Sequence, residues 1–293
     1  MNSDELLVSI KRATALPASQ TRLSDADILA LADEEIQTKM LPMLTELRNE
    51  YLVVSESFEM TAGRTDYPIP YRAIGRTLRD VTVTLQGNVT DTLPYVQPED
   101  SYVASPLGFF LRADKLVLTS AQTAGTLRLF YELRPSRLVL LAECGRIASF
   151  SLTEAVVTAV PATIVTGTIV DVLEARSGHT MLGQDIAVTN VASTTLTLVV
   201  PTSVVAGDFI APAETSPVIM LPQEMHQVLA QAVAVRVLEA IGDFEALASH
   251  QNRLMEKMTA VRSLLTPRVR GAAHVIINQN SFFNRNSSRS RNL

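Results

Sequence analysis

Apolar residues three or four apart run from Ile28 through Ala32, Ile36, Met40, Leu44 and Leu47 to Tyr51, a period that only a helix gathers onto one face. That stripe constrains the chain more than any other feature, because something of comparable length must cover it. Ser24 stands where it can cap the first turn, and Asp25 and Asp27 suit the positive end of the helix dipole. The spacing predicts one helix over about 25–50. Pro42 removes a backbone donor and crowds the turn before it, yet the stripe continues beyond, so a bend rather than an end is expected there. Core packing is the first account of the stripe; a helix interface between subunits is the second.

A matching pattern closes the chain. Pro222 opens a helix at the position where its missing N–H costs nothing, and Val228, Ala232, Val235 and Leu238 fall on one side of it. Gly242 stops that helix and Asp243 can cap the next, whose apolar positions are Phe244, Leu247, Leu254, Met258, Val261 and Leu265, ending at Thr266-Pro267. The pair reads as a helical hairpin or a sharply broken long helix. The first and last helical segments are expected to pack together, flanking whatever lies between.

What lies between is β in character. Strand-like runs occupy 81–88, 115–120, 126–135 and 137–141, and alternation places Leu127, Leu129 and Tyr131 on one face. A β layer packed on the long helix is expected. From Ala155 to Ile210 the chain turns to Thr, Val and Gly with few charges, broken by turn residues about every eight to twelve positions. This predicts a small β-sandwich or barrel inserted at 152–212. The fold class is therefore α+β, an α-helical core carrying β-rich segments. Its parts are an N-terminal helix with β layer (1–151), the inserted module (152–212), the hairpin completing the core (213–267) and an extended arm (268–293).

A hydrophobic fraction of 47% over 293 residues excludes global disorder. The single cysteine, Cys144, allows no intrachain disulfide, and no Cys/His cluster has zinc spacing, so a cytosolic or cytosol-assembled protein with one buried thiol is expected. Asp4 and Glu5 stand where a signal peptide would be basic. The richest apolar window, VLAQAVAVRVLEAI, is interrupted by Gln231, Arg236 and Glu239, so no membrane partner is expected.

The sequence holds no HExxH, GxSxG, P-loop or strand-to-helix GxGxxG. His179, His226, His250 and His274 are scattered singly, and although His226 and His250 could face each other across the hairpin, surface positions account for them better. Asp33, Glu34 and Glu35 are adjacent, which points them in different directions on a helix and suits a solvated face. With no Trp and 5% aromatic residues, stacking platforms for sugars or single strands are poorly supplied. Neither an enzyme nor a cofactor is expected.

The last stretch, VRGAAHVIINQNSFFNRNSSRSRNL, is different in kind. From Arg262 onward there are six arginines and no carboxylate, which leaves the remainder with 19 basic against 30 acidic residues: a tail near +6 on a body near −11. Such a composition cannot bury enough apolar surface to fold alone. Yet Val275, Ile276 and Ile277 could add a strand to a sheet edge, Phe282 and Phe283 could fill pockets, and Arg285, Arg289 and Arg291 could meet acidic groups. An ordinary frayed terminus and a phosphate-binding arm are the other readings, and the phenylalanines favour a protein partner over nucleic acid.

Taken in order, SDADILALADEEIQTKMLPMLTELRNEYLV, TDYPIPYRAIGRTLRDV, LFYELRPSRLV, VAVRVLEAIGDFEALASHQNRLMEKMTAVRSLLTPRV and the INQNSFFNR tail resemble head-to-tail connector (adaptor, or head-completion) proteins of tailed bacteriophages. The β segment at 152–212 carries the least of this resemblance. The resemblance implies a homo-oligomeric ring, a dodecamer, beneath the portal protein at the head–tail junction of the virion, with a tail or nozzle protein below. It also implies genomic DNA passing through the central channel without specific binding. Val275 to Leu293 would then dock on the portal, and helices 25–50 and 222–265 would form the ring wall. Another tail, nozzle or baseplate protein, or a DNA-binding protein using the arginines, are the alternatives.

Overall fold

The computed structural model describes residues 1–15, 23–85, 90–100, 107–121, 124–175 and 181–266. The chain is a mixed α+β fold with several sheets.

Helix α1, Ser3–Ala13, starts in a reciprocal cap: the Glu5 N–H donates to Asn2 Oδ1 (2.8 Å) and the Asn2 N–H to Glu5 Oε2 (3.1 Å). Helix α2, Asp25–Glu35, is capped the same way by Ser24 and Asp27. The chain then widens into a π-helical turn, Ile36–Met40, before α3, Leu41–Leu47. There the Leu41 N–H reaches back to Ile36 O, one residue further than in an α-helix. Pro42 sits in the first turn of α3, immediately after the widened turn, which absorbs the disruption that its ring and missing donor bring to a helix interior. The expected single helix is thus three segments in one right-handed run, ending at 47.

Helix α4, Gln223–Ile241, ends at Gly242, which takes the left-handed φ of 80° that terminates a helix without a Cβ penalty. Asp243 then caps α5, Phe244–Leu265, by accepting the Ala246 N–H at 3.1 Å. Helix α4 is buried on nearly every side. Leu6, Ile10, Ile28, Ala32, Met40 and Leu44 pack on it from the first helices, and Leu254, Val261 and Leu265 from α5. Phe244, expected among the apolar contacts, stands 72% exposed, because it precedes the turns of α5 that reach α4.

Four antiparallel strands run in the order Val53–Thr61, Ala124–Glu132, Asp80–Thr84, Thr90–Thr92. Leu127, Leu129 and Tyr131 share its buried face, as alternation predicts. That face does not pack on the long helix. It meets a second antiparallel sheet, Asp66–Pro68, Lys115–Leu118 and Phe109–Arg112, around Met60, Tyr67, Val81, Val83, Leu116 and Leu127. The helical cluster instead takes Leu52, at the entry to the first strand, and Leu138, from the short strand Arg137–Leu138.

A seven-stranded antiparallel sheet spans 145–212. Its order is Met181–Ala187, Ile169–Leu173, Phe209–Pro212, Gly145–Phe150, Glu154–Val157, Thr195–Thr197, Asn190–Ala192. Residues from both halves, including Ile147, Val157, Val172, Leu196 and Ile210, share one cluster, so the sheet curls around its own core. Arg137–Leu138 pairs in parallel with Thr215–Ser216, and the Ser3 N–H donates to Pro217 O at 2.8 Å, which ties this region to the helices.

Candidate functional site

The eight residues assigned to the arm, Val275, Ile276, Ile277, Phe282, Phe283, Arg285, Arg289 and Arg291, lie outside the described residues, as do His179 and His274. The described chain leads to the arm at Thr266. There the Arg48 Nε donates to Leu265 O at 2.8 Å and the Thr266 N–H to Arg262 O at 3.0 Å, so the ends of α3 and α5 meet where the arm begins.

The carboxylate trio is not a solvated face. Only Glu34 is exposed; Asp33 and Glu35 are buried. Asp33 accepts the Leu138 N–H at 2.8 Å, and burial pushes its carboxyl up to about 6. Glu35 faces Lys39 Nζ at 2.7 Å and Arg236 Nε at 3.5 Å. The cause is tertiary: the strand at 137–138 covers one side of α2 while α4 covers another.

The two described histidines are likewise buried, not superficial, and each has its own partner. His226 Nε2 lies 3.0 Å from Leu221 O and Nδ1 3.4 Å from the Met1 amino group; burial, aided by that positive charge, lowers its pKa to about 4. His250 Nδ1 lies 2.9 Å from Gln231 Nε2, and burial, with Arg253 and Lys257 nearby, lowers its pKa as well. Cys144 is buried, as expected for a lone thiol, and burial together with Glu143 raises it to about 12, so it stays protonated at neutral pH. No group of three His, Cys, Asp or Glu side chains among the described residues is placed to hold a metal, and no described helix is long and apolar enough to cross a membrane.

The most elaborate polar site joins distant parts of the chain. Arg72, 3% exposed, donates from Nη1 to Asp171 Oδ2 (2.7 Å) and from Nη2 to Asp171 Oδ1 (3.0 Å) and Asp185 Oδ1 (2.6 Å). Asp171, fully buried, also accepts the N–H groups of Asp185 and Glu214. Tyr71 OH closes the ring by donating to Asp185 at 2.6 Å. A buried guanidinium satisfied in this way fixes the geometry of the segments it bridges. Sequence reasoning missed it. One signal was present: Asp171 interrupts the apolar strand IVDVL, and a carboxylate there must find a cation.

A cleft of about 810 Å³ opens between the first turn of α1 and the Leu141–Glu143 turn. Cys144, Phe209 and Val218 form its apolar floor, and Asp4, Glu5 and Arg146 stand at its rim. Across the same turn lies a hollow of about 230 Å³ that reaches Asp27, Asp33, Arg137 and Glu143. Asp33 Oδ2 lies buried at this hollow without a hydrogen-bond partner among the described residues.

The chain matches no family model and no curated protein.

Proposed function

We propose that this chain is a structural virion protein, the ring-forming adaptor between the portal and the tail of a tailed bacteriophage. It is a helical core carrying an inserted β-sandwich or barrel; copies of it form a closed dodecameric ring at the portal vertex, and the ring leaves a channel for genomic DNA. The arm 268–293 docks on the portal through Val275–Ile277, Phe282 and Phe283, with Arg285, Arg289 and Arg291 meeting acidic groups. A tail or nozzle protein takes the opposite face. The observation that carries this reading is the division of charge, a basic, phenylalanine-bearing tail from Arg262 onward near +6 on a body near −11. Two further points support it: the arm's root is pinned by Arg48, and the polar ties of the body, above all Arg72–Asp171, hold its parts in fixed register.

An acidic body suits a conduit for DNA, because negative walls disfavour the phosphate contacts that would hold it. Ordering some twenty arm residues costs roughly 1–2 kcal/mol each, so one arm binds weakly. A ring bearing many arms holds firmly through effective concentration. The test is capture of the full chain, and of a truncation after Thr266, by the portal ring encoded in the same genome. Capture of the full chain alone supports the reading. Capture of both moves docking to the helices, and capture of neither removes the portal in favour of a tail, nozzle or baseplate position. Duplex DNA binding without portal, falling steeply with salt, would favour the nucleic-acid alternative.

A further inference from the structure

We propose that residues 275–277 of the chain's own arm add as a fifth strand to the four-stranded sheet, along the open side of Val53–Thr61, and hold the arm on the body until a partner takes it. This rests on reading 268–293 as a docking arm, and it gives that arm a resting place on its own copy.

Val53–Thr61 is the outermost strand of its sheet and, among the described residues, pairs only with Ala124–Glu132. The Leu133 N–H donates to Leu52 O at 2.8 Å, and bonded pairs alternate along an antiparallel ladder, so Val54, Glu56, Phe58 and Met60 turn their main-chain groups to Ala124–Glu132. The N–H and C=O groups of Ser55, Ser57 and Glu59 therefore face the open side, where no main-chain group among the described residues meets them. An edge of nine residues in unbroken register is a feature that proteins ordinarily blunt or cover. The outer strands Thr90–Thr92, Asp66–Pro68, Asn190–Ala192 and Phe109–Arg112 have four residues at most. Met181–Ala187 has seven, but its pairing shifts register twice, and such irregularities blunt an edge.

The root of the arm selects the chain's own segment as the occupant. Arg48 Nε donates to Leu265 O at 2.8 Å, so α5 ends beside the approach to this strand. Two tight turns then carry the chain from Arg48 into it, closed by Tyr51 N–H to Arg48 O (3.2 Å) and Val53 N–H to Glu50 O (3.3 Å). Residues 267–274 separate Thr266 from Val275, a tether of about 30 Å when extended. The strand is itself about 30 Å long, so the segment spans the edge without leaving its own copy. A tether this short sets an effective concentration on the order of millimolar, which favours the chain's own segment over that of a second copy.

The chemistry of the edge matches as well. Val54 and Phe58 belong to the packed face yet stay half-buried at its margin. An added strand would close over them with Val275 and Ile277, which alternation puts on one face. The edge strand carries Glu56 and Glu59 and no basic residue, whereas the arm carries Arg268 and Arg270 ahead of Val275 and no acidic residue, so the two attract along their length.

The experiment is residue-resolved amide hydrogen exchange of the full chain and of a truncation after Thr266, over a wide range of protein concentration. Ser55, Ser57 and Glu59 should exchange at least tenfold more slowly in the full chain, to the same degree at every concentration. Phe58 and Met60, bonded to Ala124–Glu132, should change far less. Ser57→Pro removes one outward donor and leaves the inner ladder intact; in the full chain it should return Ser55 and Glu59 to the rates of the truncation and expose the Ile276 amide. Ile276→Pro should do the same from the arm, so a Ser57→Pro chain that misfolds does not blunt the test. Equal rates in full and truncated chains would overturn the proposal. So would protection that grows with concentration, which marks the arm of a second copy, or protection that survives Ile276→Pro. No portal enters these measurements: a chain protected as expected that captures no portal would sink the portal reading alone.

Discussion

Arg72 grips both carboxylate oxygens of Asp171, at 2.7 and 3.0 Å, across 99 positions of sequence, and the two side chains are 3% and 0% exposed. Removing one partner strands the other charge in the interior. Arg72→Met or Asp171→Leu alone should therefore cost about 3–5 kcal/mol, while the double replacement should cost clearly less than the two combined. Denaturant unfolding of the four proteins measures this coupling. Strict additivity would mean that the pair does not act as a unit.

Gly125 has a φ of 147°, and a Cβ there would come within 2.6 Å of Thr84 O on the neighbouring strand. Gly242 also has a positive φ, 80°, but open space around it. Gly242→Ala should cost about 1 kcal/mol from backbone strain alone. Gly125→Ala should cost about 2 kcal/mol or more, because the strand must also shift. Unfolding midpoints compared side by side check the order, and a smaller loss at Gly125 would show that the strand gives way freely.

Much of the architecture was legible because it rests on local rules. The Ile28 to Leu47 stripe, the Ser24 and Asp243 caps and the stop at Gly242 depend on neighbours within four residues, and the alternation of Leu127, Leu129 and Tyr131 on neighbours within two. Helix α1 was missed although Asn2 and Glu5 spell a capping box, since its short apolar run draws little attention beside the charged residues. The burial of Asp33, Glu35, His226 and His250 was not legible. It follows from α4 being buried on nearly every side and from a strand 105 positions away supplying the Leu138 N–H to Asp33. The sheet partner of Leu127 and Leu129 was misjudged for the same reason, because pattern shows that a face is buried without showing what covers it.

The arm's anchors can be tested apart from its fold. Phe282→Ala/Phe283→Ala should leave the unfolding transition of the body unchanged, since the described core closes without either residue. Portal capture should weaken at least tenfold, because desolvated aromatic anchors carry a large share of such binding. Unchanged capture would shift the docking contacts to Val275–Ile277 or to the helices.

Asp33 and His226 should pull the pH dependence of stability in opposite directions. Burial raises Asp33 from 3.8 to about 6, so its contribution is fully present below 3.8 and is lost as pH rises through 6. Burial lowers His226 from 6.5 to about 4, so its contribution is present above 6.5 and is lost as pH falls through 4. Each displacement corresponds to roughly 3 kcal/mol, and the windows overlap, so the two slopes largely cancel in the parent protein. Asp33→Asn keeps an acceptor for the Leu138 N–H and removes one slope; relative to the parent, its stability should rise more steeply with pH between about 4 and 6.5. His226→Gln should do the reverse and fall across the same window. Urea unfolding of the three proteins at several pH values in that window decides the matter. Three parallel curves would show that neither group is held away from its ordinary titration by the fold.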